Sequence, residues 1–259
     1  MLLAVLAGGH NDVLGTGLGL LAVAAFRRAG FAGGVLAGAL AGAAIAMKAP
    51  FILIALGLAI AAIRSPRTLA GLAAGAVAVV VPSYLIAGKG AVAAVVAEAG
   101  RATDPYQPWQ LVVRVLPYFH TVARTDVLGL AGTIALAALL LWRLPAGVPR
   151  LPAVRPTLAV TLAWLVCSPQ QRAWYDVMIF PLLALLPATR LDWIALWRSA
   201  VAALGELPGG IAAGHQLWLG RATDLLDKGI VPVALAALAL ALVWLCLTGR
   251  WQASSPLPR

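Results

Sequence analysis

Nine apolar runs follow one another along this chain, and the polar residues between them are confined to short islands. The runs are Val13–Phe26, Phe31–Met47, Phe51–Ile63, Thr68–Ala87, Val127–Trp142, Thr157–Cys167, Val177–Ala188, Trp193–Gly205 and Gly229–Leu247. Backbone amides and carbonyls in lipid must be satisfied internally, and within a single continuous run only a helix does that. The pattern therefore predicts an all-α fold, a polytopic transmembrane helical bundle of about nine membrane segments. Several runs are shorter than the ~20 residues that cross squarely, so their boundaries are expected to extend into the flanks. Charged residues make up only 11% of the chain and hydrophobic ones 62%, against roughly 25% charged in soluble domains. The membrane domain is placed at residues 1–248, with a longer outer stretch at about 88–126 and a short interfacial helix within it. Residues 249–259 read as a flexible tail.

The distribution of bases orients the bundle. Arg27/Arg28, Arg64/Arg67, Arg143/Arg150/Arg155, Arg190 and Arg250/Arg259 fall on one side when the chain alternates, all in short loops or the tail. Dense Lys/Arg in short loops marks the cytoplasmic side. Of the nine acids only Asp192 shares that side. The net charge of +10 is scattered between apolar segments rather than gathered into a stripe, so it reads as a topology signal and no nucleic-acid partner is expected. The two cysteines, Cys167 and Cys246, lie inside apolar runs and imply neither a disulfide framework nor a zinc site.

With this alternation four polar islands face the opposite, extracytoplasmic compartment. They are Gly8-Gly9-His10-Asn11-Asp12, Lys48-Ala49-Pro50, the stretch from Lys89 to Asp126, and Ser168–Asp176. Polar groups at membrane depth are costly unless paired or wet, so islands that share a face mark a candidate site. His10 beside Asp12 suits proton transfer, sugar-hydroxyl binding or metal ligation, while Asn11 or Asp12 can equally cap the helix beginning at Val13. His10 and Asp12 alone do not make a metal site. Lys48 supplies a compact cation for a phosphate or simply snorkels to the interface, and Pro50 favours a break just after it. Arg172 adds a fork that grips phosphate oxygens in a bidentate manner. Trp174 and Tyr175 suit an interfacial aromatic belt or a stacking platform for a sugar, and Asp176 is positioned in sequence to pair with Arg172. The outer stretch adds an apolar Ala91–Ala99 and an aromatic-rich loop carrying Tyr106, Trp109, Tyr118 and His120. Trp193–Gly205, with Arg198 inside it, either crosses the membrane or lies flat on it.

These residues, taken in order, resemble the polyprenol-phosphate-mannose-dependent α-1,6-mannosyltransferases, integral-membrane enzymes of the GT-C fold. The resemblance is carried by Gly-Gly-His-Asn-Asp leading into an apolar helix, by Ala46-Met47-Lys48-Ala49-Pro50 closing the next, and by Ser168-Pro169-Gln170 followed by Trp174-Tyr175. It extends from about Gly8 to Leu247. It implies a GT-C-like partial fold, a polyprenyl-phosphate-mannose donor, a glycan or lipoglycan acceptor, inverting transfer on the extracytoplasmic face of the cell membrane, and no cofactor. Under it, His10 and Asp12 take catalytic roles, and Asn11, Lys48, Arg172, Trp174, Tyr175 and Asp176 bind substrate. Such enzymes are expected to carry their principal catalytic acid in a first outer loop near the start of a longer chain. The chain here aligns only with their later part, so an upstream segment is expected to supply that acid. A lipid or solute transporter and a non-catalytic membrane fragment are the other readings of the same features.

Overall fold

The computed structural model describes residues 11–28, 30–99, 106–116, 122–145, 150–170, 172–206 and 217–252. Among these the regular structure is helical, with no strand. The elements are α1 (Asp12–Ala25), α2 (Phe31–Met47), α3 (Ile52–Ala62), α4 (Pro66–Ala87), α5 (Lys89–Ala99), α6 (Trp109–Val115), α7 (Val122–Arg143), α8 (Val154–Cys167), α9 (Phe180–Ala184), α10 (Arg190–Gly205), α11 (Leu217–Leu225) and α12 (Val231–Thr248). Single 3-10 turns occupy Ala49–Phe51 and Ala173–Met178, and a π turn, Leu226–Ile230, joins α11 to α12.

The apolar runs map closely onto these helices, and the second, Phe31–Met47, coincides with α2. Their capacity to cross a membrane is a separate matter. Among the described residues three stretches are long and apolar enough to do so: Pro66–Ala87, Arg124–Arg143 and Gly220–Thr248. The helices at Asp12–Ala25, Phe31–Met47, Ala49–Ala62, Val154–Cys167 and Ala173–Ala184 are apolar but shorter. Proline is one reason. Pro50 sits in the 3-10 turn after Lys48, and Pro181 opens α9 directly after the second 3-10 turn. The run expected at Val177–Ala188 thus becomes a 3-10 turn plus a five-residue helix.

The Lys48-Ala49-Pro50 island is a reversal, not a kink. The side chain of Phe51 fills the space left by Gly15 and that of Ile54 the space left by Gly19, so α3 runs beside α1 in the same direction. Among the described residues α2 and α4 pack backbone against backbone. A methyl group on Gly38 would run into the Leu72 carbonyl oxygen, and one on Gly75 into that of Val35. Gly34, Gly38 and Gly42 recur every fourth residue on α2, opposite Gly71 and Gly75 on α4. Small residues at that spacing let two backbones touch, the usual way helices associate where water offers no hydrophobic drive.

The main apolar core runs through α1–α4, α7, α8, α10 and α12, with Leu58, Leu140, Leu158, Leu162, Leu165, Leu191 and Leu242 fully enclosed, and a smaller cluster gathers Tyr106, Ala173, Ala202, Val231 and Leu235. Outward faces are apolar too: Leu85, Ile86, Leu130, Ile134 and Leu240 are all more than half exposed. Large apolar surfaces on both faces of the same helices suit a lipid environment and not water. Tryptophans gather at the arginine-rich end, where Arg143 stacks over Trp142 at 4.0 Å and Arg250 over Trp244 at 5.8 Å. Helix α10 runs the full depth of the bundle: the Arg190 amide donates to the Trp251 carbonyl at one end, and Gly205 abuts Tyr106 at the other. Its first turn also explains the single acid at the basic end, since Asp192 and Thr189 form a reciprocal capping box.

Candidate functional site

At the end of the bundle opposite the arginine-rich loops, α1 begins, α2 and α8 end, and the 3-10 turn Ala173–Met178 crosses between them. Asp12 occupies the first turn of α1, where a carboxylate favours the helix dipole. Its side chain is fully buried, and both oxygens accept from Lys48 Nζ, at 2.9 and 3.0 Å. Asn11 is the N-cap residue but makes no side-chain cap. Its Nδ2 instead donates to the Met47 carbonyl at 3.4 Å, tying the start of α1 to the end of α2.

Lys48 leaves α2 in an extended conformation and keeps about a quarter of its side chain exposed. Its ammonium lies 4.7 Å from the Tyr175 ring centre and 5.7 Å from that of Trp174. The two rings meet edge to face at 6.3 Å, and Tyr175 also tilts against Trp164 at 5.6 Å. The Arg172 guanidinium stands 5.8 Å from the Trp174 ring centre, and its Nη1 is 3.8 Å from Glu206 Oε1. One indole therefore neighbours two cations, each of which is matched by a carboxylate. Ring faces attract cations by about 0.5–2 kcal/mol, more where water is excluded.

The outer stretch reaches the same end of the bundle. Trp109 Nε1 donates to the Cys167 carbonyl at 2.7 Å, and the Tyr106 hydroxyl donates to Glu206 Oε1. Four islands far apart in sequence thus converge on one end of the bundle. His10, Gly8, Gly9, His120 and Tyr118 lie outside the described residues.

One sequence expectation is corrected. Asp176 does not pair with Arg172. It is fully buried and forms an ion pair with Arg198 Nη1, while Arg198 Nη2 donates to the Leu165 carbonyl at 2.6 Å. Arg172 pairs with Glu206 instead. The reason is depth: Asp176 points inward from the 3-10 turn toward α10, whereas Arg172 precedes that turn at its partly exposed edge. An acid buried this far needs a close cation to remain charged, and Arg198 meets that need from mid-helix. The Asp176–Arg198 pair and the Leu165 hydrogen bond pin the 3-10 turn to α8 and α10, which fixes the direction in which Trp174 and Tyr175 project.

Sequence reasoning missed Glu206 and the role of Arg198. For Arg198 a signal existed, since a charge inside an apolar run calls for a buried partner. For Glu206 there was none, because α10 had to be known to cross before its end could be set beside Arg172. Among the described residues no group of three His, Cys, Asp or Glu side chains is arranged to hold a metal ion. Comparisons with protein families, curated proteins and solved structures returned no match to this chain.

Proposed function

We propose that this chain acts in membrane glycosyl transfer of the mannosyltransferase type, on a polyprenyl-phosphate-sugar donor and a glycan acceptor. The observation that supports it best is the ring of Asp12, Lys48, Tyr175, Trp174, Arg172 and Glu206 at one end of a lipid-suited bundle. Two cations flanking aromatic rings match a ligand in which a phosphate adjoins a sugar. Ammonium and guanidinium groups bind phosphate oxygens, and indole or phenol faces pack against the apolar face of a pyranose. The polyprenyl tail has exposed apolar helix faces to lie against.

In this reading Lys48 and Arg172 exchange their carboxylates for the donor phosphate and offset the charge that develops on it as the glycosidic bond breaks. The displaced Asp12 carboxylate then becomes available to orient a sugar or acceptor hydroxyl, with Asn11 and His10 beside it in sequence. Asp176 acts from beneath, holding the aromatic pair in place through Arg198. The short-loop arginines put this end on the extracytoplasmic side of a multi-pass chain of the cell membrane.

The test is mannose transfer from radiolabelled polyprenyl-phosphate-mannose, in membranes containing the chain and a glycan acceptor. Lys48→Ala with Arg172→Ala is expected to lower transfer by about 10²–10³-fold, as loss of preorganised charge stabilisation does. Wild-type rates in that double variant would remove the phosphate clamp. Movement of intact donor across the bilayer without transfer would favour a transporter instead.

A further inference from the structure

The opposite end of the bundle contains a cavity of about 470 Å³, formed where α1 ends, α3 ends and α4 begins. Its polar lining is Arg27, Arg150, Ser65 and Thr68, and Phe26 and Pro152 contribute apolar walls. Both arginines are exposed, no acid lines the cavity, and among the described residues neither arginine is in an ion pair. Two guanidinium groups on one cavity without a carboxylate repel each other, so the arrangement is relieved by an anion between them.

The hydroxyls are set to assist. Thr68 Oγ1 accepts from the Gly30 amide at 3.3 Å and lies 2.7 Å from Ser65 Oγ. With Thr68 donating to Ser65, the Ser65 proton is left for a ligand in the cavity. Ser65 is also the N-cap residue of α4 and its side chain makes no cap hydrogen bond, so the positive end of a 22-residue helix is directed at the same place. Apolar side chains continue outward from the rim. Ile63, next to Ala62 of the lining, is 72% exposed, and Leu69, next to Thr68, is 36% exposed.

We propose that this cavity binds the phosphate of an anionic lipid headgroup, with the acyl chains lying along the exposed apolar surface beside Ile63 and Leu69. Guanidinium forks and hydroxyls take the phosphate diester oxygens, and the cavity has the size of a small headgroup site. A topology signal alone requires only that arginines sit near the membrane surface. Here two of them, from separate loops, line one hydroxyl-bearing cavity. The site does not depend on glycosyl transfer and lies at the far end from it.

The experiment is native mass spectrometry of the purified full chain in detergent, offered phosphatidylglycerol and phosphatidylcholine with identical acyl chains. Wild type is expected to retain phosphatidylglycerol roughly 10–30-fold better, the factor two arginines contribute near anionic lipid. Arg27→Gln with Arg150→Gln should bring that ratio close to one, while Lys89→Gln with Arg221→Gln, the same charge change elsewhere, should leave it intact. If the glutamine variant fails to fold, Arg27→Lys with Arg150→Lys keeps both charges and should retain only part of the preference. Equal retention of the two lipids by wild type, or an unchanged ratio in a folded glutamine variant, overturns the proposal. Displacement of phosphatidylglycerol by millimolar inorganic phosphate also overturns it and assigns the cavity to a soluble phosphate.

Discussion

The two ends of this bundle treat positive charge in opposite ways. At one end each cation of the aromatic cluster has a carboxylate: Lys48 with Asp12, Arg172 with Glu206, and, deeper in the bundle, Arg198 with Asp176. At the other, Arg27 and Arg150 share a cavity that no acid lines. The acids follow the same division, since Asp192, the one acid at the arginine-rich end among the described residues, is used in a helix cap. Paired charge can be buried and can hold an aromatic platform in place, whereas unpaired charge has to stay at a surface where water or a headgroup can reach it. The same residue type therefore serves as internal architecture at one end and as an outward binding surface at the other.

That contrast is easiest to break at its most buried point. Asp176→Ala leaves Arg198 enclosed and unpaired, and is expected to destabilise the fold by about 3–5 kcal/mol, read as a large fall in thermal unfolding midpoint in detergent. Asp176→Leu combined with Arg198→Met removes both charges and should recover most of that loss. If the double variant is as damaged as the single one, the pair does more than balance its own burial.

Next in size is Asp12→Ala, which strands a partly exposed Lys48. About 1–3 kcal/mol is expected, measured by the same unfolding scan, with solvent access to Lys48 keeping the effect below that of Asp176. Glu206→Gln should cost under about 1 kcal/mol, because the 3.8 Å contact to Arg172 is partly solvated on both sides. A loss equal to that of Asp176→Ala would show that the site end is sealed more tightly than its exposure indicates.

The smallest effect, opposite in sign, belongs to the basic end. Arg27→Gln in lipid-free detergent at low salt is expected to leave stability unchanged or raise it by a few tenths of a kcal/mol, since it removes repulsion without removing a partner. Raising the salt to about 1 M, where screening acts within ~3 Å, should abolish the difference from wild type. A clear destabilisation that persists in salt would mean that Arg27 is part of the internal packing.

Much of this was legible in the residues. Apolar runs became helices because a backbone without water must bond to itself, and α2 begins and ends where its run does. The division of bases from acids also follows directly from the order of the loops. The glycines of α2 and α4 were not read from the sequence: Gly34, Gly38 and Gly42 recur at four-residue spacing, but that spacing takes on meaning only when Gly71 and Gly75 are found opposite. The run at Val177–Ala188 misled because hydropathy does not register what Pro181 does to a helix already interrupted by a 3-10 turn.

What the sequence determined alone is therefore the helical class, the extent of most helices and the end of the bundle that carries the short-loop arginines, because all three depend on local hydrophobicity and chain alternation. Tertiary structure decided the partners. Asp176 met Arg198, 22 residues away, and Arg172 met Glu206, 34 residues away, through the path of α10 across the bundle. An ion pair depends on distance and burial in space, and neither is written in the spacing along the chain.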